Sequence, residues 1–288
     1  MILFDFSPIV IGAFHESDIK KQEPTLELVR HITLNIIRSY TKRYKKQYGN
    51  VVLCMDSGDV WRKDYFEYYK AHRAKNRAES SIDWGKIFEY MDVIRQELYD
   101  NYPGYIVRVP KTEADDIIAV LAKYLAMEKG EEVMIISSDG DMSQLLKYDG
   151  VSQFSPILKK EIKQSYKDAF YGLVTKVIKG DRGDGVPNVR SGDRAFVDNI
   201  RQKPISSSIL EEAVENGIEE TVMKHFGEEG VRNLHRNKTL VDLDCVPEKY
   251  TEEILEVFNN YKPKPRHKFM NYLVKNRLAQ LTSSLEDF

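Results

Sequence analysis

The sequence predicts an α/β fold: a central, mostly parallel sheet flanked by helices over residues 1–165, followed by a helical C-terminal region over 166–288. Three observations predict it. Ile2-Leu3-Phe4, Val51-Val52-Leu53-Cys54 and Val133-Met134-Ile135-Ile136 are apolar throughout, as strands buried on both faces of a parallel sheet are. These runs alternate with segments whose apolar residues recur at helical spacing, as crossover connections require. Each run then stops at acid: Asp5, Asp56, and, past Ser137-Ser138, Asp139 and Asp141. Open α/β sheets bind ligands at the carboxyl ends of their strands. A lone Asp-Gly-Asp is an ordinary turn; several strands ending the same way are not.

After the first strand, Leu28, Ile32, Ile36, Tyr40 and Tyr44 predict a helix over 24–48, with Gly49 as its stop. The second strand, 51–55, runs into Asp56. Residues 61–77 then interleave five aromatics (Trp61, Tyr65, Phe66, Tyr68, Tyr69) with seven Lys, Arg or His. Aromatic faces beside cations suit single-stranded nucleic acid, where bases stack and phosphates pair with charge. The same spacing suits an amphipathic helix whose aromatics pack, and both readings stand. Asp83 is expected to cap a helix with Ile87, Met91, Ile94 and Leu98 on one face. A strand over 105–109 leads to Thr112-Glu113-Ala114-Asp115-Asp116, where Thr112 and Asp115 have capping-box spacing. Three acids in four residues exceed what a cap requires. Ile117, Val120, Leu121 and Tyr124 carry that helix on to Gly130. After strand 133–136 and its acids, Met142, Leu145 and Leu146 begin a helical pattern, and 151–155 with 157–163 read as a hairpin around Pro156. The rest is helical. A helix over 166–179 is closed by Gly180-Asp181-Arg182-Gly183-Asp184-Gly185-Val186-Pro187, and further helices are expected around 194–200, 207–215, 219–226, 251–261 and 267–275. The tail, 281–288, is expected to fray. There is no internal repeat and no low-complexity segment.

The composition excludes several classes. A 42% hydrophobic, 31% charged chain is that of an ordinary globular protein, and no apolar run approaches the roughly 20 residues of a membrane span. Two cysteines, Cys54 and Cys245, are too few for a disulfide framework, so a reducing, cytoplasmic setting is expected. The net charge of −2 hides local asymmetry. Residues 62–77 hold six Lys/Arg against Asp64 and Glu67, and 261–277 hold six Lys/Arg and no acid, while acids gather over 211–229.

Asp5, Asp56, Glu113, Asp115, Asp116, Asp139, Asp141, Asp181 and Asp184 sit at strand ends, helix starts or a Gly-rich turn. In a parallel sheet the first seven converge on one edge, where like charges must protonate or bind cations. Oxygen ligands without His or Cys select Mg²⁺, or Mn²⁺ in its place, and two such ions about 4 Å apart are a recurrent device for phosphodiester hydrolysis. An EF-hand is excluded, since Gln144 and Gly150 stand where its Gly and Glu belong. Neither a His-Glu-x-x-His zinc motif nor a phosphate-binding loop occurs.

At this point the chain resembles the 5′ nucleases of the flap-endonuclease superfamily, and most closely their T-even phage-type ribonuclease H branch. The matching elements are Asp5, Asp56, Tyr69-Lys70-Ala71-His72-Arg73, Glu113-Ala114-Asp115-Asp116-x-Ile118-Ala119, Ser138-Asp139-Gly140-Asp141 and Gly180-Asp181-x-x-Asp184-x-Val186-Pro187, in the family's order over nearly the whole chain. The resemblance implies a PIN-like sheet, a helical arch at about 57–82 and a helix-hairpin-helix-like element in the C-terminal region. It implies a two-ion Mg²⁺-dependent 5′ to 3′ exonuclease and flap endonuclease with ribonuclease H activity, acting on RNA·DNA and branched or nicked DNA duplexes in phage primer removal. By carry-over, Asp5, Asp56, Asp115 and Asp139 face the first metal, and Asp141, Asp181 and Asp184 the second. Glu113 and Asp116 complete the acidic shell, and Lys70 approaches the scissile phosphate. Arg62, Tyr69, Arg73, Lys75 and Arg77 on the arch, with Val186 and Asn188 on the hairpin, are the implied nucleic-acid contacts. The family's hairpin holds duplex backbone, often through a potassium ion. Here Gly185 replaces the usual Asn and Asn188 the glycine expected after proline, which weakens the case for potassium and for the same grip.

Partners implied are single-strand-binding protein, which 261–277 could meet as readily as duplex phosphates, and a sliding clamp, with 284–288 as a docking tail; a monomer is expected. Two rival readings are a haloacid-dehalogenase-type phosphatase and a non-catalytic DNA-structure-binding homologue. The first needs an acid two residues after Asp5, where Ser7 stands, and the second is disfavoured by an intact set of acids and Lys70.

Overall fold

A computed structural model describes residues 1–19, 23–163 and 165–288. The chain forms two compact units interleaved along the sequence: 1–58 with 83–162 and 248–288, and 59–82 with 163–247. The chain leaves the first unit after Gly58, returns at Asp83, leaves again after Ile162 and returns at Glu248 for its last 41 residues. Aromatic packing explains the return: Phe258 lies 5.4 Å from the Tyr105 ring, and Phe269 lies 5.8 Å from Tyr102 and 4.9 Å from Phe288.

The first unit is built on β1 (Ile2–Asp5), β2 (Val51–Cys54), β3 (Tyr105–Val107), β4 (Val133–Ile136), β5 (Val151–Ser155) and β6 (Lys160–Glu161), ordered β3-β2-β1-β4-β5-β6. All neighbours are parallel except β5 and β6, so the expected hairpin exists with a second strand of only two residues. The strands of the centre, β1, β2 and β4, are buried along their whole length, which their continuous apolar runs require.

Around the sheet stand α1 (Phe6–Ile19), α2 (Leu26–Tyr48), α5 (Trp84–Asn101), α6 (Ala114–Lys123), α10 (Glu248–Asn260), α11 (Arg266–Lys275) and α12 (Ala279–Thr282). α1 was not among the expected elements: Ile9, Val10, Ala13 and Phe14 are all buried, and their near-continuous run gives no polar face from which to read a period. α2 is rotated from the expected face. It buries Val29, Arg30, Thr33, Leu34, Ile37, Thr41 and Tyr44, while Leu28, Ile32, Ile36 and Tyr40 are half-buried. Arg30 is on the core side because Glu97 takes its guanidinium through two hydrogen bonds of 2.7 and 2.8 Å. α5 buries Ile87, Met91, Ile94 and Leu98 under an Asp83 cap, as expected. The tail does not fray. Leu281 is 1% and Phe288 6% exposed, and Lys45 donates to the Phe288 carbonyl at 2.7 Å, while Glu286 stays exposed.

The second unit holds α3 (Trp61–Tyr65), α4 (His72–Ala78), α7 (Tyr166–Lys179), α8 (Ser207–Asn216) and α9 (Ile218–Val241). One core joins Val174, Val177 and Ile178 to Leu210, Val222 and Leu234; another joins Val60, Phe66 and Tyr69 to Val186, Leu240 and Val241. Residues 194–200 form turns instead of the expected helix, since their bonds skip three to five residues and Asn199 sits at φ 53°. α9 runs 15 residues past the expected end at 226, through a kink at Gly227. Among the described residues no helix is long and apolar enough to cross a membrane.

Candidate functional site

In the first unit, strand register brings the sequence-predicted acids to one edge. Asp5 stands opposite Cys54, two residues before Asp56, and Phe4 stands opposite Ile136, three residues before Asp139. Each is held by a protein donor. Asp5, 6% exposed, accepts from Ser137 Oγ at 3.0 Å. Asp56 takes the Ser7 hydroxyl on Oδ2 and the Ala114 amide on Oδ1 at 2.9 Å; that amide opens α6, so the helix dipole favours the carboxylate. Asp139 accepts from the Asp141 amide at 2.8 Å, and Gln153 Nε2 ties the carbonyls of Ser137 and Asp139 at 3.0 and 2.8 Å. Ser7, Ser137 and Gln153 were missed by sequence reasoning, because a hydroxyl or amide that orients a carboxylate carries no motif of its own.

Asp139 is exposed and Asp115 and Asp141 are half-buried, whereas Glu113 and Asp116 are buried at 7% and 0%. The capping box at this helix start is Glu113 with Asp116, not Thr112 with Asp115: Asp116 Oδ2 accepts from the Glu113 amide at 3.0 Å. Thr112 is one residue too early and donates its hydroxyl to the Val109 carbonyl instead.

Among the described residues, no three His, Cys, Asp or Glu side chains form a ready-made metal cage. The donor chemistry nevertheless fits a hard divalent cation. Burial drives the Cys54 thiol well above its ordinary range, and the nearby Asp5, Asp56 and Asp115 carboxylates push it further. Three acids thus act on one buried atom, and the only soft donor among them is kept protonated. Oxygen is what remains to offer.

The second unit holds Asp181 and Asp184 in a tight loop closed by the Asp181–Val186 backbone pair, at 2.9 and 2.8 Å. Asp181 Oδ1 accepts from the Gly183 and Asp184 amides, and Lys176 pairs with Oδ2 at 2.8 Å. Burial alone would raise the Asp181 carboxyl; Lys176 and the two amides outweigh it and hold it below the usual range. Gly180 makes the loop possible: at φ 76°, a Cβ there would lie 2.3 Å from the Val186 carbonyl oxygen and 2.7 Å from the Pro187 carbonyl carbon. Gly180→Ala is therefore expected to destabilise the protein by about 2 kcal/mol or more, a loss that denaturant melts would read. Gly185 departs from the family pattern for a similar reason. It has φ 71°, and a Cβ would lie 2.9 Å from His72 Nδ1.

Asp184 collects the arch residues of its unit. It accepts from Tyr69 Oη at 2.9 Å and Arg73 Nη2 at 2.7 Å, with Lys70 Nζ 3.6 Å away. Lys70 itself sits at φ 56°, in the left-handed region that an L side chain enters at a cost, and its amide donates to the Asp184 carbonyl at 2.8 Å. Lys75 is exposed and Arg77 half-exposed. Three of the expected nucleic-acid contacts have buried side chains. Arg62 is 2% exposed, stacks over Trp61 and donates to the Leu240 carbonyl at 2.9 Å. Val186 is 0% exposed, with its amide committed to Asp181. Asn188, 6% exposed, donates to the Lys203 carbonyl and accepts from the Arg190 amide and Ser191 hydroxyl. Each satisfies its own unit's interior, which residue type alone does not reveal. Arg182, Arg190 and Lys203 are among the exposed cations of this stretch.

Asp193 anchors α9 to this region through Arg232 and Arg236. Burial would raise its carboxyl, but the two guanidinium groups lower it below its ordinary value of 3.8. A group depressed in the fold contributes stability above its unfolded pKa and loses it as pH falls through the folded one. Asp193→Asn is thus expected to lower stability at neutral pH and to match the wild type in strong acid, as urea melts at the two pH values would show.

Residues 1–172 match a family model described as the N-terminal, resolvase-like domain of 5′-3′ exonucleases, and residues 168–288 match one described as the C-terminal part of T4 RNase H. Ribonuclease H of Enterobacteria phage T4 is 37% identical over 292 residues, 99% of this chain and 95% of that protein. The exonuclease of Escherichia phage T7 is 27% identical over 197 residues, 67% of this chain and 62% of that one. A T5 flap endonuclease, solved as a pseudo-enzyme–product complex with DNA and metal ions, has a TM-score of 0.65 at 21% identity over 90% of this chain and 99% of that chain. At that identity the likeness is one of fold.

Proposed function

The chain belongs to the 5′-3′ exonuclease family, and from that membership we propose that it is a Mg²⁺-dependent nuclease, with Mn²⁺ able to substitute. Its reaction is hydrolysis of phosphodiester bonds at the 5′ ends and flaps of RNA·DNA and DNA·DNA duplexes, the chemistry of primer removal. The observation that carries the reading is the common edge of β1, β2 and β4. Three buried parallel strands there run in register into carboxylates, each oriented by a hydroxyl or amide.

Asp5, Asp56, Asp115 and Asp139 would hold a divalent cation, with Glu113 beside them. Asp141 in the first unit, and Asp181 and Asp184 in the second, are the further acids that would serve a cation, while Asp116 works as the helix cap. Bound divalent cations supply a hydroxide near neutral pH and offset charge on the phosphate. Ser7, Ser137 and the α6 amide keep carboxylate oxygens aimed, so that little reorganisation is left for the moment of reaction. Lys70 offers a point charge to the scissile phosphate, and Tyr69 and Arg73 fix the Asp184 carboxylate beside it. Lys75, Arg77, Arg182, Arg190 and Lys203 bind backbone phosphates and set position, not sequence.

A panel of labelled substrates tests this. Duplexes with a 5′ flap, a 3′ flap, a nick or an RNA primer are each incubated with Mg²⁺. Short products from 5′ ends alone are expected; equal cutting of the 3′ flap would exclude a 5′ nuclease.

A further inference from the structure

The turn at 187–192 raises the question of what holds it. The family resemblance offers a potassium ion bound by backbone carbonyls, and the residues here do not fit one. Three carbonyls of the turn, those of Pro187, Val189 and Ser191, already accept from α9 side chains. Asn233 Nδ2 donates to the Val189 and Ser191 carbonyls at 3.0 and 3.3 Å. Asn237 Nδ2 donates to those of Pro187 and Val177, both at 2.8 Å. Arg236 Nη2 donates to Pro187 at 2.8 Å.

The amides cannot turn round to release these oxygens. Asn237 Oδ1 accepts from Arg236 Nε at 3.0 Å, and Asn233 Oδ1 from Arg232 Nη2 at 2.7 Å, which fixes the face each amide shows. Asn233 and Asn237 are 0% and Arg236 6% exposed, so these bonds are made away from water, where breaking them leaves a buried acceptor unsatisfied. Arg236 also carries the positive charge itself, with Asp193 on one side and the Phe66 ring 5.5 Å away on another. A second cation among these carbonyls would lie against a guanidinium. Asn188 completes the substitution. Its side chain closes the 188–191 turn through the Arg190 amide and Ser191 hydroxyl, the role a permissive glycine would otherwise fill.

We propose that Asn233, Arg236 and Asn237 take the place of a monovalent cation in shaping this turn, so that its grip on duplex is indifferent to potassium. This rests on the reading that the unit binds duplex phosphates. Wild-type protein in chelator is titrated against a labelled 5′-flap duplex in KCl and in LiCl at equal ionic strength, and its melting temperature is taken in both salts. Equal affinities are expected, within about twofold, because counterion release counts phosphates and not the kind of monovalent ion. Equal melting temperatures are expected too. A melting temperature or affinity raised by K⁺ over Li⁺ would overturn the proposal, since a ligand that binds the native state stabilises it. If the duplex fails to bind in either salt, the duplex reading falls, and the melting comparison alone decides the cation question.

Asn233→Asp supplies a second test, keeping the shape while removing the donor to Val189 and Ser191. Duplex binding is expected to weaken about tenfold, as for buried acceptors left without donors; unchanged binding by a folded variant would count against the proposal. Should that variant not fold, the wild-type salt comparison stands on its own.

Discussion

Asp5→Asn is expected to lower the cleavage rate about a hundredfold or more while leaving the protein as stable as the wild type, or more so. The two halves of this prediction have one cause. Asp5 is 6% exposed, and with Asp56 and Asp115 it bears on the Cys54 thiol. Without a cation, such carboxylates repel one another, so a neutral isostere relieves strain while still accepting the Ser137 hydroxyl. With a cation, the charge removed is a ligand's charge, and losses of about a hundredfold or more follow when metal binding or its orientation is spoiled. A site that sacrifices stability for activity shows this opposition. Turnover of a labelled 5′-flap duplex and thermal melting, measured on the same preparation, check it. Parallel loss of both would make Asp5 merely structural.

Lys70→Ala is expected to reduce kcat about a hundredfold, with little change in KM, because a positioned cation beside developing phosphate charge acts mainly in the transition state. The backbone separates this from a folding defect. The Lys70 backbone N–H, at φ 56°, donates a hydrogen bond to the Asp184 carbonyl, so Lys70→Gly should melt no lower than Lys70→Ala, glycine being at ease there. Both variants should be equally slow. A glycine variant that recovered activity would mean that the geometry of the turn, and not the ammonium, sets the rate.

The elements legible in the sequence were those whose signal is local and strong. Buried parallel strands announce themselves as unbroken apolar runs, and the acids following Phe4, Met55 and Ser138 stood out because each comes where such a run ends. α5 was legible through its Asp83 cap and its stripe of Ile87, Met91, Ile94 and Leu98. Where a polar side chain faces inward, the pattern inverts. Arg30 paired with Glu97 shifted the apparent face of α2. Asn233, Arg236 and Asn237, buried against backbone carbonyls, hid the second half of α9 behind Gly227. Arg62 and Asn188 were expected as nucleic-acid contacts from the family resemblance, and hydrogen bonds to Leu240 and Lys203 carbonyls explain why they are buried instead. Interleaving of the two units was illegible because it depends on contacts between distant segments, such as Tyr105 with Phe258. The tail followed the same rule: Phe288 was judged by its position in the chain, and Phe269 gave it a partner.

The most direct measurement is cleavage of a 5′-labelled RNA-primed duplex by the wild-type protein, with Mg²⁺, with chelator, and with Mg²⁺ restored in excess. The carboxylate edge predicts short labelled products with Mg²⁺, none in chelator, and full recovery on restoration. Products of unchanged length and rate in chelator would contradict it.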